Sequence, residues 1–172
     1  MPSATGIYEV TARCPCDRPL FLASFGRITR LTDEGSFHGW VRPVTARELI
    51  DAFWAAMQAN DWDRAAGFLA PECQIDWPCS GERIVGRADF AALQRRYPST
   101  TGRWSFDLHR VVSDGHTVVS EVTVSDGVQA ARVIAIADVE GGQVVRQVEY
   151  WPTAYEPRPG REDLTLPIDR VP

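Results

Sequence analysis

The chain lacks most of the features that would assign it to a class at once. No stretch approaches the ~20 apolar residues of a membrane-spanning helix, so no association with a membrane is expected. Positive charge is not in surplus. Eighteen basic residues face 23 acidic ones, for a formal net charge of −5, which argues against a general attraction to nucleic acid or anionic lipid. The densest basic pair, Arg95-Arg96, falls short of the stripe with interleaved aromatics that a nucleic-acid footprint needs. The four cysteines, Cys14, Cys16, Cys73 and Cys79, form neither a C-x-x-C pair nor the dense framework of a small secreted domain, and they read as reduced thiols. The three histidines, His38, His109 and His116, are too scattered to make a metal set. Near the start the longest apolar stretch is Leu20 to Ala23, too short for a secretory leader. The expected location is therefore the cytoplasm, with no metal, cofactor, membrane or nucleic acid involved.

What is present suits one soluble domain. The chain has 172 residues, 44% hydrophobic and 24% charged, enough to bury a core without staples. Residues 1–43 mix Cys-Pro-Cys with scattered arginines and show no sustained period. They read as an irregular extension, with a short strand over Phe21 to Leu31; an alternative start near Val41 or Val44 is a second reading. From Thr45 the signals sharpen. Thr45-Ala-Arg-Glu48 is a capping box, and Leu49, Ile50, Phe53, Trp54 and Met57 share one helical face. Asp61 is placed to cap a second, shorter helix through Leu69, ended by Pro71. Gln74 to Trp77 reads as a short strand, Gly81 and Gly86 bracket a loop, and Ala88 to Tyr97 forms a third helix with Phe90, Leu93 and Tyr97 on one face. Four strands follow, at about Trp104–Ser113, Thr117–Ser125, Val128–Val139 and Gln143–Trp151. They are divided at Asp114-Gly115, Asp126-Gly127 and Gly141-Gly142, spacings that suit type I′ turns in an antiparallel meander. Residues 157–172 are a proline-rich extended tail.

Three segments resemble the SnoaL-like branch of the nuclear-transport-factor-2-like superfamily, which includes ketosteroid isomerases and limonene-type epoxide hydrolases. They are Phe53 to Trp62 at the helix junction, Ile75-Asp-Trp-Pro78 with Gly86-Arg87, and Val144 to Pro152. The resemblance covers about Thr45 to Tyr155, so residues 44–156 are taken as the domain. It implies an α+β fold in which three helices pack on a strongly curved antiparallel sheet, forming a cystatin-like cone with a pocket at its open end. It also implies that the outer sheet face can pair with a second copy, making a homodimer.

The subfamily positions can be compared one by one. The ketosteroid isomerase pattern of an acid before the proline of the first short strand, a tyrosine on the first helix and an aspartate on a later strand meets Trp77, Phe53 and the apolar Val133 to Ala135 here. The SnoaL-type cyclase acid on that later strand finds only Arg132 and Asp138 at the margins. Of the limonene-type hydrolase set, the middle strand gives Glu121-Val-Thr-Val in place of Arg-x-Asp, while Glu149 matches the last-strand acid, followed by Tyr150 and Trp151.

The residues themselves point to Asp76 and Glu149 as catalytic candidates, because each lies in an apolar strand segment beside tryptophan, where desolvation raises a carboxyl pKa toward the acid–base range. In the competing reading each faces solvent or pairs with an arginine such as Arg83 or Arg146. Phe53, Trp54, Trp77, Trp104 and Trp151 are candidate walls for a small apolar ligand. His109 lies on the polar or pocket side of its strand, as a base or as a surface histidine. Glu121 and Arg132 form either a structural cross-strand pair or a ligand-orienting one. The expected function is cofactor-free acid–base chemistry of isomerase, dehydratase, cyclase or hydrolase type; the rival is a non-catalytic binding or dimerisation module.

Overall fold

The structure is a computed structural model that describes residues 44–170; the short strand and alternative starts read within residues 1–43 lie outside the described residues, save for Val44 itself. Helix α1 spans Ala46–Ala59 and opens with both hydrogen bonds of the Thr45–Glu48 capping box in place. A helix of this length is marginal alone. It is held by its buried face of Leu49, Ile50, Phe53, Trp54, Ala56 and Met57, with each large side chain contributing roughly 1.5–3 kcal/mol on burial. Asn60 ends it in the left-handed region at φ 58°. Asp61 then caps α2, Trp62–Gly67, by accepting from the Arg64 amide. Helix α3, Arg87–Arg96, buries Phe90 and Ala91.

The strands are β1 (Leu69–Trp77), β2 (Glu82–Val85), β3 (Ser105–Asp114), β4 (Thr117–Ser125), β5 (Ala130–Glu140) and β6 (Gln143–Tyr150). They form one sheet in the order β2-β1-β6-β5-β4-β3. Neighbours are antiparallel except β1 and β6, which run parallel. The sheet is thus mixed where the sequence suggested a purely antiparallel one, because β1 precedes the meander and returns beside its last strand. Strict alternation buries Val118, Ser120, Val122 and Val124 on β4 and Val133, Ala135, Ala137 and Val139 on β5. This inner face meets the helices in a single core. Register shifts place extra residues on β1, β3 and β6, and such bulges bend strands and raise their twist.

Several boundaries differ from the sequence reading. Helix α2 stops at Gly67, and Pro71 falls inside β1, where the register shift between Leu69 and Gln74 spares it a ladder bond it could not donate. The stretch between Gly81 and Gly86 is a strand, not a loop, pairing Glu82 to Val85 with β1. Gly86 has φ 86°, and a Cβ there would meet the Pro71 carbonyl oxygen at 2.9 Å, so only glycine fits. Of the three turns, Gly141-Gly142 has both φ values positive, as a type I′ turn requires. At the first, β3 continues through Asp114 and the turn residues are Gly115, with φ 60°, and His116, without positive φ, the type II′ pattern. The second is a wider loop in which the Asp126 carboxylate accepts from the Val128 and Gln129 amides at 3.0 and 2.9 Å. Residues 151–170 form no helix or strand. Among the described residues no helix is long and apolar enough to cross a membrane.

Candidate functional site

Alternation along β6 sends Gln147 and Glu149 to the inner face, with exposures of 1% and 6%, while Arg146 and Tyr150 face out. On β1 it turns Cys73 and Ile75 inward, with Trp77 following in the same period. The parallel register sets Ile75 beside Gln147 and Asp76 beside Val148, so that Trp77 arrives next to Glu149. The Trp77 indole donates to Glu149 Oε2 at 2.7 Å, the Trp151 indole donates to the same oxygen at 3.2 Å, and the Gln147 amide donates to Oε1 at 2.5 Å. Burial pushes the Glu149 pKa up, and these three donors pull it back only in part. A carboxylate oxygen has two lone-pair sites. Oε2 is therefore fully engaged, whereas Oε1 keeps one site for a proton or a ligand donor.

Glu149 lines a cavity of about 270 Å³. Its walls are aromatic. Trp151, Trp77, Tyr97 and Trp104 follow one another edge to face, with successive centroids 6.4, 6.4 and 5.9 Å apart, and Trp54 packs against Phe106 at 6.0 Å. Space exists because β5 offers small side chains here: Ala135 is the antiparallel partner of Glu149, and Ala130 and Ala131 line the cavity. Tyr97, 48% exposed, ends α3. Trp104 is fixed from α1, since Asn60 Nδ2 donates to the Trp104 carbonyl at 2.7 Å and the Trp104 amide donates to Asn60 Oδ1 at 2.9 Å. The Trp104 indole N–H is buried and has no hydrogen-bond partner among the described residues. The lining includes Glu82 as well as Glu149 and, among the described residues, no basic side chain. All 18 basic residues of the chain are arginine, so no lysine is available for Schiff-base chemistry. Among the described residues no group of His, Cys, Asp or Glu is arranged to hold a metal.

Of the residues singled out from the sequence, Glu149, Trp54, Trp77, Trp104 and Trp151 come together on this cavity. The others are placed elsewhere. Asp76 alternates to the opposite face of β1, where Arg83 donates to it at 2.5 and 3.1 Å and Arg146 at 3.3 Å. These guanidiniums hold its carboxyl below the usual range, the Arg83 hydrogen bond being the larger cause. Phe53 is fully buried between Trp54 and Phe90 as core. His109 is exposed and shares a 2.7 Å hydrogen bond with Thr123. Arg132 donates to Glu121 at 2.6 Å, and neither residue lines the cavity. Gln147, Tyr97 and Phe106 were not singled out as site residues. Gln147 was detectable as the inward neighbour of Glu149 in a period of two. Tyr97 shared the apolar face of its helix, but nothing in the sequence showed that this face ends at a cavity.

A SnoaL-like domain profile matches residues 50–147, more than half of the chain. A candidate ketosteroid isomerase from Kribbella flavida superposes with a TM-score of 0.66 at 31% identity, covering 74% of this chain and 90% of that one. An LEH-like epoxide hydrolase from M. tuberculosis gives 0.52 at 27% identity, over 64% and 86% of the two chains. A candidate polyketide cyclase from Xanthomonas campestris gives 0.51 at 26% identity, over 62% and 90%. No curated protein matches the chain. The helix order, the sheet register and the profile match agree, and the chain belongs to the SnoaL-like family of the nuclear-transport-factor-2-like fold.

Proposed function

We propose that the cavity takes a small, largely apolar molecule and that Glu149 moves a proton on it without a cofactor, in a reaction of isomerase, dehydratase or cyclase type. The observation that carries this reading is a buried carboxylate held by three N–H donors against an aromatic cavity. A raised pKa brings a carboxyl toward the range where it both accepts and returns a proton. The proton is taken at Oε1, which keeps an acceptor site, while the two indoles on Oε2 hold the group in orientation. The unpartnered Trp104 N–H offers a donor to a substrate oxygen on which negative charge develops. Hydrolysis by two divided acids has less support, because Asp76 is engaged by Arg83 and Arg146. That engagement equally favours a second reading, in which the cavity binds a ligand without turning it over. The test is a thermal-shift screen across steroids, terpenoid epoxides and aromatic polyketides, followed by turnover of each stabilising compound. Conversion abolished in Glu149→Gln supports the enzyme, and stabilisation without conversion supports the binder.

The same reading makes the protein a homodimer. On the outer sheet face, register aligns Val112, Val119, Ile136 and Val148 in one aliphatic row across four strands. Val112 is 56% and the nearby Tyr150 43% exposed, and a row of this kind gains from being covered. The free thiols of Cys73 and Cys79 accord with a cytoplasmic location.

A further inference from the structure

We infer that the ligand of this cavity carries a positive charge, as a substituted ammonium or protonated amine on an otherwise apolar body; this rests on the proposed function and narrows it. The charge of the lining is one-sided. Glu82 and Glu149 are its ionisable acids, and among the described residues no arginine lines it. Among these lining residues an anionic ligand would find no counter-charge. A neutral one would leave the buried Glu149 with its three N–H donors but no opposite charge to offset the rest of its lost hydration.

The walls supply what a cation uses. Trp54, Trp77, Trp104, Trp151, Tyr97 and Phe106 present aromatic rings around a space of about 270 Å³, and a ring face attracts a cation most strongly when both are desolvated, tryptophan more than the others. A trimethylammonium group cannot donate an ordinary N–H hydrogen bond and is recognised by such ring cages. A protonated amine can also donate to the open site on Glu149 Oε1. Net charge adds to this, since a chain at −5 raises the local concentration of cations.

The experiment compares choline with its neutral carbon isostere, 3,3-dimethylbutan-1-ol, by tryptophan fluorescence titration of the full chain. The two differ in charge and hardly in shape. Choline should bind at least tenfold more tightly. Glu149→Gln should remove most of that preference and leave the alcohol's affinity nearly unchanged. Tyr97→Leu, at a half-exposed position where the fold is safe, should weaken choline selectively by loss of one ring face. If the alcohol binds as well as choline, the cationic assignment is wrong while the apolar cavity stands. If neither binds at millimolar concentration, both readings fall. A preference that survives both substitutions would put the cation elsewhere and overturn the assignment.

Discussion

Trp77 and Glu149 lie 72 residues apart in sequence and meet through a 2.7 Å hydrogen bond from the indole N–H to carboxylate Oε2. The contact exists because β1 and β6 are parallel neighbours, and it joins the first strand of the domain to the last. If Glu149 carries the proton, Glu149→Gln keeps shape and polarity but removes the titrating group. Turnover of an identified substrate should fall by roughly 10²- to 10⁴-fold, the usual weight of general acid–base catalysis. Asp76→Asn should leave turnover within about twofold, because Asp76 faces Arg83 and Arg146 away from the cavity and acts only through exposed pairs of small weight. Steady-state kinetics of the two variants checks both.

Asn60 does two jobs at the end of α1, since it adopts the left-handed conformation and exchanges two hydrogen bonds with the backbone of Trp104. Asn60→Ala removes both and should cost about 2–3 kcal/mol, summing lost hydrogen bonds and a strained alanine. Asn60→Gly keeps the backbone conformation and should recover about 1 kcal/mol of that loss. Urea denaturation of the pair separates the conformational part from the clamp.

Asp126 is the polar anchor of the β4–β5 loop. Its carboxylate accepts from the Gln129, Thr100 and Val128 amides, which hold its pKa far below the ordinary range, the Gln129 bond first among the causes. A depressed folded value means that the stabilisation is present above the unfolded aspartate pKa of about 3.9 and is lost as pH falls through the folded value. Asp126→Asn should lower the melting temperature at neutral pH, and the gap to the parent protein should narrow below about pH 4. Melting curves across acid pH would show this; a constant gap would mean that the charge is not what anchors the loop.

The aliphatic row of Val112, Val119, Ile136 and Val148 predicts self-association through the outer sheet face. Light scattering at micromolar concentration should give a dimer mass, and Ile136→Arg should shift it to the monomer while leaving the circular dichroism spectrum unchanged.

The meander, the capping box and the order of helices before sheet were legible in the sequence because each follows from local pattern: alternation in β4 and β5, Thr45 with Glu48, and glycine at the turns. What was not legible depends on contacts distant in sequence. Asp76 and Glu149 look alike as acids beside tryptophan, yet one-residue alternation sends Asp76 to two arginines and Glu149 to two indoles. No local signal distinguishes these outcomes without the β1–β6 register. The strand over Glu82–Val85 was hidden for the same reason, since it gains its pairing only once β1 is in place. Tyr97 entered the cavity wall because α3 ends where β1 and the segment before β3 converge, a tertiary accident that helical periodicity cannot report.

The central claim is that Glu149 is a buried carboxyl whose protonation is set by burial against three N–H donors. Burial raises its folded pKa, so its contribution to stability is fully present below the unfolded glutamate value and is lost as pH rises through the folded one. The most direct measurement is a pH titration followed by NMR, reading the Glu149 carboxyl carbon together with the Trp77 and Trp151 indole N–H signals. The account predicts one shared midpoint above the ordinary glutamate range, absent from the indole signals of Glu149→Gln. A midpoint at or below that range, or indoles that do not respond to the carboxyl, would contradict it.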